Sequence, residues 1–325
     1  NTVLYTGNGS TNSITGVGFQ PDWTWLKGRS NAQGHNVFDV IRGANKALFP
    51  NDTNAEFTDT DRLTSFDSDG FSLGADANVN TSSATYVSWN WLAGGTAVSN
   101  TDGSVTSSVS ANTKAGFSIC KWTGTGSNLT VGHGLGVAPK AYMVKRIDGT
   151  ASWHMYHDGL ESAGKGIQPS GNGDEISLST YWNNTAPTSS VFSIGTYSNV
   201  NTNTAEYIAY VFADIEGYSK FGYYNGNTNA NGAFLYTGFR PAFIWLKSAT
   251  SSGDDWFIFD NKRQTDNPIG NYLRGNQANA EASSTLLDFV SNGVKFRASS
   301  GAVNDATKFI YLAFAEQPFK YSNAR

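Results

Sequence analysis

The sequence contains little cysteine, little charge and few stretches with the apolar spacing of a helix. A single cysteine, Cys120, excludes a disulfide framework within the chain. Because it falls in an apolar strand pattern, we expect Cys120 to be a small buried hydrophobe. Charged residues make up 15% of the 325 residues, compared with roughly 25% in an average domain. With a formal net charge of −4, the chain lacks the basic surface that nucleic-acid binding requires.

Long apolar runs and helical periodicity are also missing. No stretch of about 18 apolar residues is present, so the sequence predicts no membrane-spanning helix. Apolar residues rarely recur with the three-to-four-residue spacing of an amphipathic helix. The chain begins at Asn1, without an initiator Met or an apolar leader, and we therefore expect a processed or partial product of a longer protein.

One sequence pattern occurs three times and organises the chain. It reads Gly18-Phe-Gln-Pro21-Asp-Trp-Thr-Trp25-Leu-Lys27, Gly136-Val-Ala-Pro139-Lys-Ala-Tyr-Met-Val-Lys145 and Gly238-Phe-Arg-Pro241-Ala-Phe-Ile-Trp245-Leu-Lys247. The three prolines are much farther apart than the roughly 20–50 residues of a solenoid repeat. The spacing between copies of the pattern is therefore the length of a domain.

Further landmarks accompany each copy in the same order. An aromatic-Thr/Asn-Gly signal precedes each proline, and an aromatic strand closes each copy, as in Tyr86–Trp91, Tyr207–Phe212 and Phe309–Phe314. We divide the chain into repeat 1 (1–95), a connecting segment (96–114), repeat 2 (115–219) and repeat 3 (220–325). Nine of the nineteen residues in the connecting segment are Ser or Thr, which indicates a linker or a surface strand pair.

Alternation with a period of two dominates every copy, and Gly and Asn are frequent between the alternating runs. Short alternating runs separated by turn residues are typical of half-buried antiparallel strands. The sequence therefore predicts an all-β protein of three tandem homologous antiparallel β-sandwich domains, of jelly-roll, lectin-like type. The repeated proline suits the entry to a strand, where no ladder donor is needed.

At these motifs the chain resembles repeated domains in tail-fibre and other virion structural proteins of marine bacteriophages. Residues Tyr5–Arg29 and Lys121–Arg146 carry the resemblance most clearly, and all three repeats take part. The resemblance implies a module on the virion surface, possessing lectin-like character. It assigns no catalytic motif and no functional residue.

Aromatic residues near turns are the best candidates for ligand contact. Trp153 and Trp256 occupy matched positions beside the turn segments 148–152 and 248–255, and Trp182 precedes Asn183. An exposed indole can stack on a sugar ring while Asn183 and Asp254 bind hydroxyl groups. The alternative is that each Trp packs at a strand end.

An acidic pair and one weaker pattern are further candidates. Asp67 and Asp69, in Asp-Ser-Asp-Gly, have the alternate spacing of calcium ligands, although the same residues suit a hairpin turn. Gly70-Phe-Ser72-Leu-Gly74 matches a nucleophile elbow, but its setting predicts a strand with no following helix.

The charged and histidine pairs favour structural roles. His154 and His157, three apart on a strand, are expected to diverge, which disfavours a metal site. Asp39 with Arg42, and the equivalent Asp260 with Arg263, suit structural ion pairs.

These observations favour a non-enzymatic protein of the virion surface. We expect a phage-fibre-like structural component, extracellular on the virion, that displays lectin-like modules for attachment to host polysaccharide through several weak contacts. The expected partners are other virion subunits, and we expect neither nucleic acid nor membrane. We also expect the chain to form a homo-oligomer, with a trimer as the natural guess. One alternative is a purely structural or decorating protein without glycan binding. The other is a glycan depolymerase, which requires two opposed carboxylates. No cofactor is expected unless calcium occupies the Asp67–Asp69 turn.

Overall fold

A computed structural model describes residues 1–299, 301 and 303–316. The part of the chain so described is built from antiparallel sheets, with three helices of only four residues each. The all-β prediction is confirmed. No helix within those residues has the length and apolar character needed to cross a membrane.

Repeat 1 forms a large and a small sheet. Its elements are β1 (Thr2–Thr6), β2 (Asn12–Thr15), β3 (Trp23–Gly28), β4 (Asn36–Asp39), β5 (Gly43–Leu48), β6 (Phe57–Thr58), β7 (Leu63–Asp67), β8 (Gly70–Leu73), α1 (Ala77–Asn80) and β9 (Thr85–Trp91). The large sheet has the order β1-β9-β3-β4-β5-β6, and the small sheet has the order β2-β8-β7.

The connecting segment and repeat 2 share one sheet. Their elements are β10 (Val98–Asn100), β11 (Ser107–Asn112), β12 (Phe117–Thr123), β13 (Leu129–Gly132), β14 (Ala141–Arg146), β15 (His154–His157), β16 (Lys165–Gly166), β17 (Ile176–Ser177), α2 (Ser179–Trp182), β18 (Val191–Ile194), α3 (Ser198–Asn201) and β19 (Glu206–Phe212). The large sheet runs β10-β11-β12-β19-β14-β15, and the pairs β13-β18 and β16-β17 are separate. The Ser/Thr-rich segment is thus a strand pair added to repeat 2.

Repeat 3 forms one continuous sheet of eight strands. Its elements are β20 (Ser219–Asn225), β21 (Phe234–Tyr236), β22 (Pro241–Ser248), β23 (Phe257–Asp260), β24 (Ile269–Arg274), β25 (Ala282–Val290), β26 (Gly293–Phe296) and β27 (Lys308–Ala315). Their order is β20-β27-β22-β23-β24-β25-β26-β21.

The same antiparallel pairing occurs around the closing strand of each repeat. β9 lies between β1 and β3, β19 between β12 and β14, and β27 between β20 and β22. Pro21 and Pro139 stand two residues before their strands, and Pro241 is the first residue of β22. The expected strand-entry position of the proline is confirmed.

The central strands of each large sheet are buried on both faces. On β3, Trp23 and Trp25 point into a core shared by all three repeats, whereas Leu26 points into the core that repeat 1 forms alone. Repeats 2 and 3 likewise have their own cores, and Cys120 lies in that of repeat 2 as predicted. Two buried faces per strand leave few positions for charge, which accounts for the low charge content.

The shared core is largely aromatic and lies where the three large sheets meet. Its rings include Trp23, Trp25, Trp89 and Trp91 of repeat 1, Trp153, Tyr210 and Phe212 of repeat 2, and Phe243, Trp245, Trp256 and Phe314 of repeat 3. Trp23 stacks on Tyr210 with ring centroids 4.6 Å apart, and Trp25 meets Trp245 edge-on at 5.1 Å. Apolar area buried there joins the repeats into one packed body.

Candidate functional site

The three tryptophans predicted to contact a glycan are inside the protein. Trp153 is 1% exposed, and Trp182 and Trp256 are 0% exposed. Their indole N–H groups donate to backbone oxygens, Trp153 to Phe49 at 2.8 Å, Trp182 to Lys165 at 3.0 Å and Trp256 to Gln168 at 3.0 Å. The prediction of exposed, loop-borne indoles is wrong at these positions, because each ring is covered by protein and has no free face for a sugar.

The polar residues predicted beside those rings are nearer the surface. Asn183 is exposed, adopts a left-handed conformation after α2, and accepts a 3.0 Å bond from the amide of Asn128. Asp254 is half-buried, and its Oδ2 has no hydrogen-bond partner among the described residues. Since the neighbouring indoles are buried, neither residue shares a sugar-binding surface with its Trp.

Asp67 and Asp69 form part of a hairpin turn between β7 and β8. Asp67 accepts two 2.7 Å bonds from the hydroxyls of Ser65 and Ser72. Asp69 accepts bonds from the backbone N–H groups of Gly16 and Gly18, at 3.1 and 2.6 Å. No cluster of three or more His, Cys, Asp or Glu side chains suited to a metal occurs in the described part of the chain. Of the two roles considered for Asp67 and Asp69, calcium ligands or a hairpin turn, these contacts agree with the turn.

His154 and His157 are both buried and contact different neighbours. His154 packs against the rings of Tyr181 and Tyr197, and its Nε2 lies 3.3 Å from the amide of Asn199. His157 accepts the N–H of Gly159 at Nδ1, so its Nε2–H donates to the backbone oxygen of Tyr311, at 3.1 Å. Ser72 of the Gly-x-Ser-x-Gly pattern lies in strand β8, as predicted, but the expectation that no helix follows is wrong, because the four-residue helix α1 comes after that strand.

Residues at equivalent positions in the three repeats contact the neighbouring repeat, and they lie at the three junctions between repeats. A ring nitrogen donates across each junction at the same place in the fold. His35 donates to the backbone oxygen of Arg274, while Trp153 and Trp256 reach Phe49 and Gln168. His35 is therefore the repeat 1 counterpart of the two tryptophans. These hydrogen bonds are donated by repeat 1 to repeat 3, by repeat 3 to repeat 2 and by repeat 2 to repeat 1. The three repeats are thus joined in a closed cycle.

A backbone hydrogen bond recurs at each junction two residues after the repeated Lys. The N–H of Glu56 donates to Ile147, that of Glu175 to Ala249 and that of Glu281 to Arg29, at 2.9, 2.7 and 2.8 Å. At the third of these, Arg29 and Glu281 also form an ion pair with N···O of 2.9 Å.

The repeated lysines, Lys27, Lys145 and Lys247, are buried at the junctions. Lys27 donates to the backbone oxygens of Gly28 and Ala278, and Lys145 donates to those of Thr53 and Ala151. Lys247 donates within its own repeat. Burial lowers the pKa of each ammonium to about 8, and neighbouring carboxylates oppose this at all three lysines. These lysines bridge strands and loops, and their charge is desolvated rather than offered to solvent.

The Asp–Arg pairs are structural ion pairs, as expected, but they are completely buried. Arg42 bonds Asp39 at 2.5 Å and Arg263 bonds Asp260 at 2.6 Å. Each carboxylate also accepts a bond from another repeat, Asp39 from the Tyr210 hydroxyl at 2.7 Å and Asp260 from the Trp89 indole at 3.0 Å. Such pairs are costly to break, since removing one partner leaves a buried charge.

Sequence reasoning missed a buried asparagine that recurs at the end of each repeat. Asn80, Asn201 and Asn304 accept a backbone N–H from the turn after the first strand and donate back to that turn. The sequence does contain a signal for these asparagines, because each of them stands a few residues before the closing strand of its repeat. The Gly that recurs in the first motif of each repeat is explained by the same packing: a Cβ on Gly124 would lie 2.4 Å from the oxygen of Thr202.

A cleft of about 830 Å³ opens at one end of the shared core. Trp91, Phe243 and Phe314 line it, with their ring centroids 5.6–6.0 Å apart. The charged and polar residues that line it include Asn112, Lys114, Glu216, Asn261, Lys262 and Glu316. A volume of roughly 300–1,000 Å³ with aromatic walls and a few polar groups suits a small organic ligand or a sugar unit. No sequence pattern predicted this site, because its walls come from different repeats.

A family model described as Domain of unknown function (DUF7483) matches residues 1–318, and the chain belongs to this family. The match runs through all three repeats and the connecting segment. No curated protein and no solved structure matches the chain.

Proposed function

We propose that this member of the DUF7483 family is a non-enzymatic structural protein of a virion surface or appendage, fibre-like in role and extracellular on the virion. Its three repeats would be tandem homologous β-sandwich domains of jelly-roll, lectin-like type. The observation that carries the proposal is the ring of matched junctions around one aromatic core. A body joined in this way resists relative movement of its repeats, and it presents their outer sheets in a fixed arrangement. The resemblance of the repeated motifs to phage tail-fibre domains supports the same conclusion.

Attachment to host polysaccharide is assigned in this proposal to the cleft, since the indoles of Trp153, Trp182 and Trp256 are covered. Trp91, Phe243 and Phe314 form the apolar part of its lining, although only 5–7% of each residue is exposed, and Asn112 and Lys262 add polar side chains to its wall. A single shallow contact of this type is weak. Display on a homo-oligomer, for which a trimer remains our prediction, would raise the avidity.

A glycan array probed with the full chain, with and without calcium, tests the attachment role. We expect binding to host-type polysaccharides that does not need calcium. Lys262→Ala in the cleft wall should weaken it, whereas Lys121→Ala, which changes a half-buried lysine outside the cleft that is paired with Glu206 at 2.8 Å, should leave it unchanged. Equal glycan binding by the two variants would show that the glycan contacts a surface outside the cleft.

The purely structural role is the second candidate, and the burial of all three predicted indoles favours it. Absence of binding across the array, together with stable assembly in sedimentation experiments, would select this role over attachment. Release of reducing ends from arrayed polysaccharide would instead select the depolymerase alternative, which requires opposed carboxylates.

A further inference from the structure

The outer edge of the small sheet differs among the three repeats. The edge strands β2, β13 and β21 are equivalent, because they pair in the same way with β8, β18 and β26. Ile14, Val131 and Leu235 occupy the same core position on them. The residues on either side of that position point outward, and it is these residues that differ.

In repeat 2 the chain covers this edge with its own extended segment. Val105 forms a parallel bridge with Val131, and its N–H lies 3.4 Å from the backbone oxygen of Thr130. The N–H of Thr130 donates to Ser104 Oγ at 2.9 Å, and Ser107 Oγ donates to the oxygen of Gly132 at 3.0 Å. The backbone groups of Thr130 and Gly132 therefore face the edge, and residues 103–107 satisfy them.

In repeat 3 the equivalent edge is open and aromatic. β21 ends its sheet, and no strand of the described residues pairs with its other side. Phe234 and Tyr236 stand where Thr130 and Gly132 stand in β13, and their side chains are 49% and 61% exposed. In repeat 1 the same positions carry the small polar Ser13 and Thr15.

Exposed edge strands promote aggregation, and soluble proteins normally protect them with charge or proline. Two large aromatic side chains on a free edge have the opposite effect, and exposed apolar patches of this kind mark contact surfaces. The occupant is indicated by repeat 2, where the same edge binds an uncharged extended segment, Gly-Ser-Val-Thr-Ser, through a parallel bridge at Val105.

We propose that the outer edge of β21 binds one extended, uncharged β-strand of a partner protein chain. The added strand would run parallel to β21 and pair with the backbone of Phe234 and Tyr236, as residues 103–107 pair with β13. The aromatic side chains would cover its outward face. Strand addition of this type draws affinity from main-chain bonds and specificity from alternate side chains.

The test uses the full chain and a synthetic peptide of residues 100–108, Asn-Thr-Asp-Gly-Ser-Val-Thr-Ser-Ser, as the probe. Amide hydrogen exchange should slow at residues 233–237 when the peptide is added at about 1 mM, because edge N–H groups become bonded. Phe234→Ser with Tyr236→Thr, which gives β21 the residue types of repeat 1 at these positions, should weaken binding at least about tenfold. Val137→Thr changes an exposed apolar residue outside any strand and should bind as the unmodified chain does.

Phe234→Pro provides a second variant. It removes an N–H that faces the edge at the first residue of the strand, where proline is tolerated, and should abolish peptide binding while the fold persists. Protection that appears elsewhere, or that survives both changes, would overturn the proposal. Concentration-dependent dimerisation that the double variant abolishes would also overturn it, by assigning the edge to a second copy of this chain. None of these outcomes depends on the glycan result.

Discussion

The hydroxyl of Tyr210 in repeat 2 donates a 2.7 Å hydrogen bond to Oδ2 of Asp39 in repeat 1. Asp39 is fully buried, and its other main partner is the guanidinium of Arg42. The bond thus joins a buried ion pair of one repeat to the closing strand of another.

Tyr210→Phe should lower the free energy of unfolding by about 1–3 kcal/mol, because a buried carboxylate loses a donor while the ring is kept. Urea denaturation followed by tryptophan fluorescence measures this. Tyr223→Phe removes the hydroxyl of an exposed tyrosine and should change stability by less than about 0.5 kcal/mol. Equal effects of the two changes would mean that the inter-repeat bond contributes nothing.

Isolated repeat 2, residues 115–219, should fail to fold, although its length is that of a small domain. One face of its large sheet packs only against the other repeats, through residues such as Met143 and Tyr210. Exposing that face removes much of the burial on which stability depends. We expect a poorly dispersed amide spectrum for the fragment and a single cooperative transition for the full chain. A well-dispersed spectrum of the fragment would show that the repeats are independent.

Acid should destabilise the chain through its buried histidines. Burial lowers the pKa of His35 and His154 to about 3 and that of His157 to about 4, from an ordinary 6.5. Between these values the unfolded chain binds protons that the folded chain refuses, so stability falls as the pH falls from about 6.5 to 4.

His35 offers a direct check of the acid effect. Its Nδ1 accepts the indole N–H of Trp25 at 2.8 Å, which protonation would prevent. His35→Gln should therefore reduce the pH dependence of the unfolding free energy over this range, even though it lowers stability at pH 7. An unchanged pH slope in urea titrations would contradict the role given to His35.

Gly124→Ala should destabilise the chain strongly. The new Cβ would lie 2.4 Å from the backbone oxygen of Thr202, so the turn must shift away from the buried Asn201. We expect a loss of more than about 2 kcal/mol. Gly173→Ala is the matched control, because nothing lies within 4 Å of its added Cβ. Thermal melts of both variants would separate a packing effect from a general cost of replacing glycine.

Calcium should leave the melting temperature unchanged, since the carboxylate oxygens of Asp67 and Asp69 already accept hydrogen bonds within the protein. Asp69→Ala should cost about 1–2 kcal/mol through loss of the bonds from Gly16 and Gly18. A calcium-dependent rise in melting temperature that is absent in Asp69→Ala would show instead that the turn binds the ion.

The strand pattern and the residues that begin each strand could be predicted from the sequence, but the closed ring could not. Alternation in β3 correctly separates Trp23 and Trp25 from Leu26, because side chains alternate between the faces of a strand. It does not show what covers each face. The sequence therefore suggested three sandwiches, each with one buried face per large sheet, whereas the second face is buried among the repeats.

The error over Trp153 and Trp256 has a specific cause. Both follow turn segments in the sequence, which suggested loops open to solvent. Their counterpart in repeat 1 is His35, a different residue type, so the shared role of the three rings was hidden until their bonds across the junctions were seen. The cleft was missed for a similar reason, since Trp91 and Phe314 meet only in three dimensions.

The junction between repeats 1 and 3 determines how early during synthesis the native contacts can all form. Lys27 bonds the oxygen of Ala278, 251 residues further along the chain. At roughly 5–20 residues per second, the ribosome needs about 10–50 s to make that span. Until then the part of the aromatic face of repeat 1 that packs on repeat 3, including Trp25 against Trp245, lacks its partner. The ring of junctions can therefore close only after repeat 3 is made, and a ribosome-bound chain that stops short of repeat 3 should be a strong client for chaperones.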